Sequence, residues 1–202
     1  MDDPSLSIVL ILELMEKSEI RRKIKAMKSM LLETEKISAA EEAFNRLEET
    51  AAFLLSDNIL MYHSLPDELS THKFLKKWSS RKKFFLPRVN GVNLDILPYD
   101  ETRLELGAFH IEEPTGNNTV GIEEMELIIV PAVAYDKKGN RLGRGKGFYD
   151  RLLSETEATK IGMAYDFQIV EEIPAEPHDI AMDIIITPSS CKIIRRRRNK
   201  KR

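Results

Sequence analysis

Cysteine is almost missing from this chain: a single residue, Cys191, stands among 202. A disulfide framework and a cysteine-built metal site are thereby excluded, and the composition suits a reducing compartment, the cytoplasm. Cys191 has no histidine near it to activate a thiol, so it reads as a residue of the C-terminal tail. Long apolar runs are missing too. Leu6 to Leu14 is the nearest approach, too short to span a bilayer, and Asp2 and Asp3 before it are the opposite of a signal peptide's basic start. Neither membrane insertion nor export is expected. Positive charge is absent from the body of the chain as a net quantity. The formal charge is −2, yet Arg195 to Arg202 holds seven cations, and without them the remainder lies near −9. A broad nucleic-acid-binding surface is therefore excluded, and the basic end reads as a disordered, solvated extension with at most nonspecific nucleic-acid contact.

What is present is a hydrophobic content of 42%, enough for one sizeable core. No internal repeat or interior linker is visible. The reading is a single domain over residues 15–190, with an N-terminal extension over 1–14 and a basic tail over 191–202. Met15 is an alternative initiator.

The densest chemistry lies in Asn140-Arg141-Leu142-Gly143-Arg144-Gly145-Lys146-Gly147-Phe148-Tyr149-Asp150-Arg151. Glycine has no Cβ, so Gly143, Gly145 and Gly147 are free to adopt positive φ and bring backbone N–H groups against an anion. Arg141, Arg144 and Lys146 add full charges. Phe148 to Ser154 reads as the first turns of a helix whose N-terminus points the same way. Asp150, among these cations, is a candidate to hold Mg²⁺ against phosphate oxygens. Two familiar phosphate motifs fail on spacing. A Walker A loop would need glycine where Asn140 stands and Ser or Thr where Gly147 follows Lys146, and a dinucleotide fingerprint would need glycine at Phe148.

Around this loop the chain alternates helices and strands. Ile20, Ile24, Met27 and Leu31 predict an amphipathic helix over 16–33, with Arg21, Arg22, Lys23, Lys25 and Lys28 on a basic face and Lys17 one turn from Arg21. Ser38 with Glu41 predicts a capping box for a helix reaching Leu55, with Ala43, Leu47, Ala51 and Leu54 as its buried stripe. Asn58 to His63 reads as a strand and Ser64 to Glu68 as the loop beyond its carboxyl end, where ligands of open α/β sheets gather; Glu68 is well placed by that topology. A helix over 70–78, strands over 83–87 and 92–99 joined by a turn at Asn90-Gly91, and strands over 160–164 and 181–187 follow. Leu127 to Ala134, the most apolar run, is expected to be a central, doubly buried strand. The fold class is α/β: one three-layer α/β/α domain with a largely parallel sheet. Asp179 and Asp183 flank the start of the last strand, and spacing does not choose between them.

Asn140 to Asp150, preceded by Leu127-Ile128-Ile129-Val130-Pro131-Ala132 and Tyr135-Asp136-Lys137-Lys138-Gly139, resembles the signature of 5-formyltetrahydrofolate cyclo-ligases, also called methenyltetrahydrofolate synthetases. The resemblance extends over roughly Lys17 to Ser189. It implies ATP- and Mg²⁺-dependent conversion of 5-formyltetrahydrofolate, with or without a polyglutamate chain, to 5,10-methenyltetrahydrofolate by a monomer. It further implies ATP contacts by Lys17, Arg21 and the loop Arg141, Leu142, Gly143, Arg144, Gly145, Lys146, Gly147, Phe148 and Tyr149. Of these, Arg144, Lys146 and Tyr149 are the catalytic set. The folate contacts it implies are Glu68 and Arg144 to Phe148, with Phe109 a stacking surface near Glu113-Pro114, and the metal carboxylates are Asp150 and Asp183. Phe148 departs from the tyrosine usual at its place. Two other readings stand beside this one: a sugar-phosphate isomerase-like enzyme using a carboxylate base without ATP, and a nucleotide-binding regulatory module whose tail contacts nucleic acid.

Overall fold

The computed structural model describes residues 4–107, 111–176 and 179–194, with side chains from residue 13 onward. Phe109 and the tail Arg195–Arg202 lie outside the described residues.

The chain begins with α1 (Pro4–Ser29), α2 (Glu33–Glu48) and α3 (Ala51–Leu55), and then enters the sheet at β1 (Asn58–Leu60). It continues through α4 (His72–Trp78), β2 (Lys83–Asn90), β3 (Asn93–Pro98), β4 (Leu104–Leu106), β5 (Glu112–Pro114) and β6 (Leu127–Pro131). Next come β7 (Ala134–Asp136), β8 (Arg141–Leu142), α5 (Phe148–Leu153), β9 (Thr159–Met163), β10 (Ile169–Val170), β11 (Ile184–Ile186) and β12 (Cys191–Ile193). Seven strands form one sheet in the order β12-β11-β9-β6-β1-β2-β3. The five inner strands run parallel, and β12 and β3 close the edges antiparallel. β6 is the middle strand, as its unbroken apolar run requires.

Alternation along the inner strands sorts the core into two layers. Ile59, Phe84, Leu86, Leu127 and Ile129 join Phe44, Leu47, Phe53 and Phe74 of α2–α4 on one face. Leu60, Phe85, Ile128 and Val130 join Tyr135, Leu152 and Leu153, the latter two from α5, on the other. α1 lies across β7 and β8, where Ile24 packs with Ala134, Leu142 and Ile173.

Several expected boundaries move. α1 starts at Pro4, ahead of the helix expected over 16–33, and ends at Ser29. Ser38 is inside α2 with its hydroxyl on Glu42 (2.9 Å), and the helix is closed instead by Glu35, whose carboxylate accepts from Leu32 N (2.8 Å). The helix stops at Glu48, and Thr50 starts α3 by accepting from Phe53 N (3.1 Å). That break rotates the inward face, so Phe53 is buried while Ala51 and Leu54 are exposed. The β2–β3 turn is Gly91-Val92 between paired Asn90 and Asn93, with Gly91 at φ 61°. Cys191 belongs to an edge strand, where it pairs with Ile186.

The inward face of α1 carries the finding that matters for the site. From residue 17 on, its buried or half-buried positions are Lys17, Ile20, Arg21, Ile24 and Lys28, with half-buried Leu31 just past its end, whereas Met27 is exposed with Arg22, Lys23 and Lys25. Three cations thus share the core-facing stripe with the isoleucines, at the same three- and four-residue spacing. The expected basic face is two faces, one solvated and one turned inward.

Candidate active site

The site collects beyond the carboxyl ends of the parallel strands, where such sheets leave a crevice. The loop after β1 supplies acids. It is held shut by a reciprocal pair, Ser64 N donating to Thr71 Oγ1 (3.1 Å) and Thr71 N to Ser64 Oγ (3.0 Å). Two tyrosine hydroxyls grip its backbone, Tyr62 on Leu69 O (3.1 Å) and Tyr165 on Glu68 O (3.2 Å). His63 at the same strand end stacks on His72 (4.3 Å) with Glu112 3.4 Å from its Nδ1, and burial pushes its pKa down.

The Gly-rich loop supplies cations. β7 and β8 form a tight hairpin whose turn is organised by buried Asp136, which accepts from Lys138 N (2.8 Å) and Asn140 N (2.9 Å). Gly145 (φ 90°) and Gly147 (φ 68°) then adopt the left-handed backbone expected of them, but Gly143 does not. Arg21 donates through Nε to Gly143 O (3.0 Å), and a Cβ on Gly145 would stand 3.7 Å from its Nη2. Lys17, one turn earlier, pairs with Glu176 (2.7 Å). Arg21 therefore reaches the Gly-rich loop, and Lys17 the segment after β10, because the helix turns both inward.

Arg141 is buried, ion-paired with Asp150 and set 5.7 Å from the Tyr149 ring. Its Nε is the buried side-chain polar atom that, among the described residues, has no hydrogen-bond partner. Leu142 is in the core against Ile24, so its side chain is structural, and its carbonyl accepts from Val133 N (2.8 Å). Arg144 donates through Nη2 to Asp67 (2.8 Å) and Glu68 (3.2 Å), joining the cationic loop to the acidic one. Tyr149 is packed against the second core layer, and burial raises its pKa well above the usual tyrosine range, so it keeps its proton at neutral pH. Lys146 and Phe148 stand at the loop's end, with the Arg151 guanidinium 5.6 Å from the Phe148 ring.

Of the two carboxylates expected at Mg²⁺, Asp150 lies in this cluster. Asp183 immediately precedes β11, at the amino end of the parallel strands, and its Oδ2 accepts from Lys160 N (2.9 Å). Asp179 caps its own loop, accepting from Glu176 N (2.8 Å). Asp150 suits an ion that takes most of its ligands from phosphate and water, as Mg²⁺ does with one or two carboxylates.

Known proteins share this fold. A family model described as the 5-formyltetrahydrofolate cyclo-ligase family matches residues 13–188. The chain belongs to that family. A 5-formyltetrahydrofolate cyclo-ligase of Haemophilus influenzae is 31% identical over 186 residues, covering 85% of this chain and 97% of that protein. The NMR structure of Aquifex aeolicus 5,10-methenyltetrahydrofolate synthetase matches with a TM-score of 0.82 at 32% identity, covering 92% of this chain and 96% of that one. A 5,10-methenyltetrahydrofolate synthetase from Mycoplasma pneumoniae, 24% identical with a TM-score of 0.69 over 85% of this chain and 98% of its own, shares the fold. Among the described residues of this cyclo-ligase family member, no helix is long and apolar enough to cross a membrane.

Four residues of this cluster lie outside the site residues expected from sequence. Lys28 falls on the helical stripe of 17, 21 and 24, but its inward direction shows only once α1 is docked. Asp67 adjoins Glu68 and carried no separate signal. Tyr165 comes from beyond β9, and only the sheet order brings it to Glu68. Arg151 lies within the Gly-rich signature yet works at a distance, donating to Val92 O (3.0 Å from Nε) and to Lys146 O (3.1 Å from Nη2), which ties the loop to the β2–β3 hairpin.

Glu68 offers a pH test. Burial raises its pKa, against the opposing pull of the Leu65 amide and Arg144. The folded state then holds this proton more tightly than the unfolded chain does. Its stabilising share is complete below the unfolded carboxylate pKa and is lost as pH rises through the folded value. Glu68→Gln removes the titration, so wild type is expected to lose stability relative to this variant as pH climbs through that window. Denaturation midpoints of both proteins on either side of it check this; a gap that does not move with pH discards the burial account.

Proposed function

We propose that this chain converts 5-formyltetrahydrofolate and ATP into 5,10-methenyltetrahydrofolate, ADP and phosphate, with Mg²⁺, in the cytoplasm. The observation that carries the reading is Arg141. A buried guanidinium with one nitrogen unpartnered, beside Arg21 and two left-handed glycines, is a site that gains energy from an anion such as a phosphate group.

The chemistry asks for little covalent help. The formyl oxygen is a poor leaving group as it stands, so it attacks the γ-phosphorus of ATP and ADP departs. The folate N10 then attacks the formyl carbon, phosphate leaves with the oxygen, and N10 gives up its proton to water. Such a sequence is accelerated by positioning and charge neutralisation. Arg141, Arg144 and Lys146 neutralise the transferring group, with Lys17 and Arg21 on the nucleotide and Gly143, Gly145 and Gly147 bringing backbone amides close. Tyr149, protonated and packed under Arg141, keeps the guanidinium in place and is available to donate. Glu68 binds the folate's polar edge. Asp150 would hold Mg²⁺, which would supply further charge neutralisation. In this reading Asp150 would hold the ion, while Asp183, also expected there, accepts from Lys160 N at the amino end of the parallel strands.

The test is the near-ultraviolet band of the conjugated methenyl product in a mixture of protein, 5-formyltetrahydrofolate, Mg²⁺ and ATP. A rise that needs ATP and is lost in Asp150→Asn is expected. A folded protein that binds ATP and gives no rise overturns the assignment.

A further inference from the structure

The cluster between α1 and the two loops contains two residues to which the reaction above gives no part. Lys28 is 6% exposed, and its Nζ lies 3.2 Å from Asp67 Oδ2. A buried ammonium needs a charged or polar partner to be tolerated, and Asp67 is that partner. Asp67 Oδ1 in turn accepts from Arg144 Nη2 (2.8 Å), and the same nitrogen reaches Glu68 Oε1 (3.2 Å). Among the described residues, every hydrogen bond of Arg144 runs through this one nitrogen, so Nε and Nη1 keep their donors for another acceptor.

The need for such an arrangement follows from the loop. Arg144 stands between two glycines, half exposed, on a backbone with little stiffness of its own. A free arginine side chain has much rotamer freedom to lose before it can hold a phosphate in one geometry. An ion pair to a half-exposed aspartate would restrain it weakly. Here the aspartate is itself fixed from the protein interior, because α1 presents Lys28 on the same inward stripe as Lys17, Arg21 and Ile24. Two acids and two cations balance, so the cluster orders the guanidinium without adding net negative charge beside the phosphate.

We infer that Asp67 and Lys28 are positioning residues for the reaction: Lys28 fixes the Asp67 carboxylate, and Asp67 with Glu68 fixes Arg144 through Nη2, leaving its other donors for the transferring phosphate. This rests on the assignment of Arg144 to phosphate made above.

The experiment compares wild type with Asp67→Asn, Lys28→Met, Lys28→Arg and the Asp67→Asn/Lys28→Met pair, all checked for folding by circular dichroism. Calorimetric titration with ATP and with adenosine is combined with kcat and KM for each substrate. Asp67→Asn is expected to lower ATP affinity and kcat/KM for ATP by roughly ten- to hundredfold, the worth of a lost charge-assisted contact, with adenosine affinity and folate KM unchanged. Lys28→Met should act in the same direction and more weakly, and Lys28→Arg should recover most of it. The double variant should be no worse than Asp67→Asn, since both act through one chain of contacts. Folded Asp67→Asn with unaltered ATP affinity and kcat/KM overturns the inference, and so do two effects that simply multiply. The two readings fail separately. A wild type that forms no methenyl product, yet loses ATP affinity on Asp67→Asn, sinks the reaction and supports the positioning; product formation indifferent to Asp67 does the reverse.

Discussion

Arg141→Met is expected to lower kcat/KM for methenyl formation by about a thousandfold, the upper range for removing one preorganised donor from developing charge. The cation is buried, so its field on a neighbouring phosphate is screened less than that of an exposed arginine. It is already oriented, with Asp150 on one side and the Tyr149 ring on another, and so costs little to reorganise when charge develops. Stability should fall as well, because Asp150 loses its partner. That loss should stay below the roughly 3–5 kcal/mol of a fully buried broken pair, since the Asp150 side chain is 25% exposed and water can reach it. Arg141→Lys separates charge from shape. It keeps the cation and loses the planar fork, and a residual defect of about ten- to hundredfold is expected from geometry alone. Steady-state kinetics beside thermal melts of the three proteins check both effects. Equal activity in Arg141→Met and wild type would remove the residue from the site.

The second large effect is expected from Gly147→Val. At φ 68° a β-branched side chain is strained whatever space surrounds it, and here its Cβ would also stand 2.7 Å from Arg151 Nη1. The Arg151 guanidinium must then shift, which disturbs its bonds to Lys146 O and Val92 O and so the tie between the loop and the β2–β3 hairpin. Displacing reacting groups by about 1 Å costs on the order of a hundredfold in rate, and at least that loss is expected. Gly147→Asn is the control, because asparagine tolerates the left-handed region better than most residues, and it should keep far more activity. If valine and asparagine behave alike, backbone conformation at this position does not govern the site. Gly143 lacks a positive φ, and a methyl there would meet only Arg141 Nη1, at 3.9 Å, so replacing it by alanine should cost less than replacing Gly147.

Much of this molecule follows from local sequence. An unbroken run such as Leu127 to Val130 has no polar side chain to show to water, so it must be covered on both faces, and that alone made β6 the middle of a layered sheet. The Gly-rich loop was legible for a related reason: left-handed backbone at Gly145 and Gly147 and the helix starting at Phe148 depend on residue types within a few positions. Topology placed Glu68 beyond a strand's carboxyl end, and its expected part in folate binding came from the family resemblance. Helix boundaries were less legible. Ser38-Glu41 and Leu32-Glu35 offer competing starts for one helix, and the i,i+3 carboxylate contact at Glu35 won, with Ser38 satisfied inside the helix by Glu42.

What sequence alone determined is the parallel α/β sheet, from short-range periodicity, and the family, from the resemblance of Asn140 to Asp150 to its signature. The tertiary structure decided which charges face inward and what they pair with. Lys28 and Lys25 differ little in sequence, and only the rotation of α1 against β7 and β8 buries one and exposes the other. Arg144 finds Asp67 across 77 residues, Lys17 finds Glu176 across 159, and Asp183 meets the Lys160 backbone across 23. Such pairings are set by strand order and by the desolvation that makes an unpaired inward charge costly, and neither is written in the spacing of neighbouring residues.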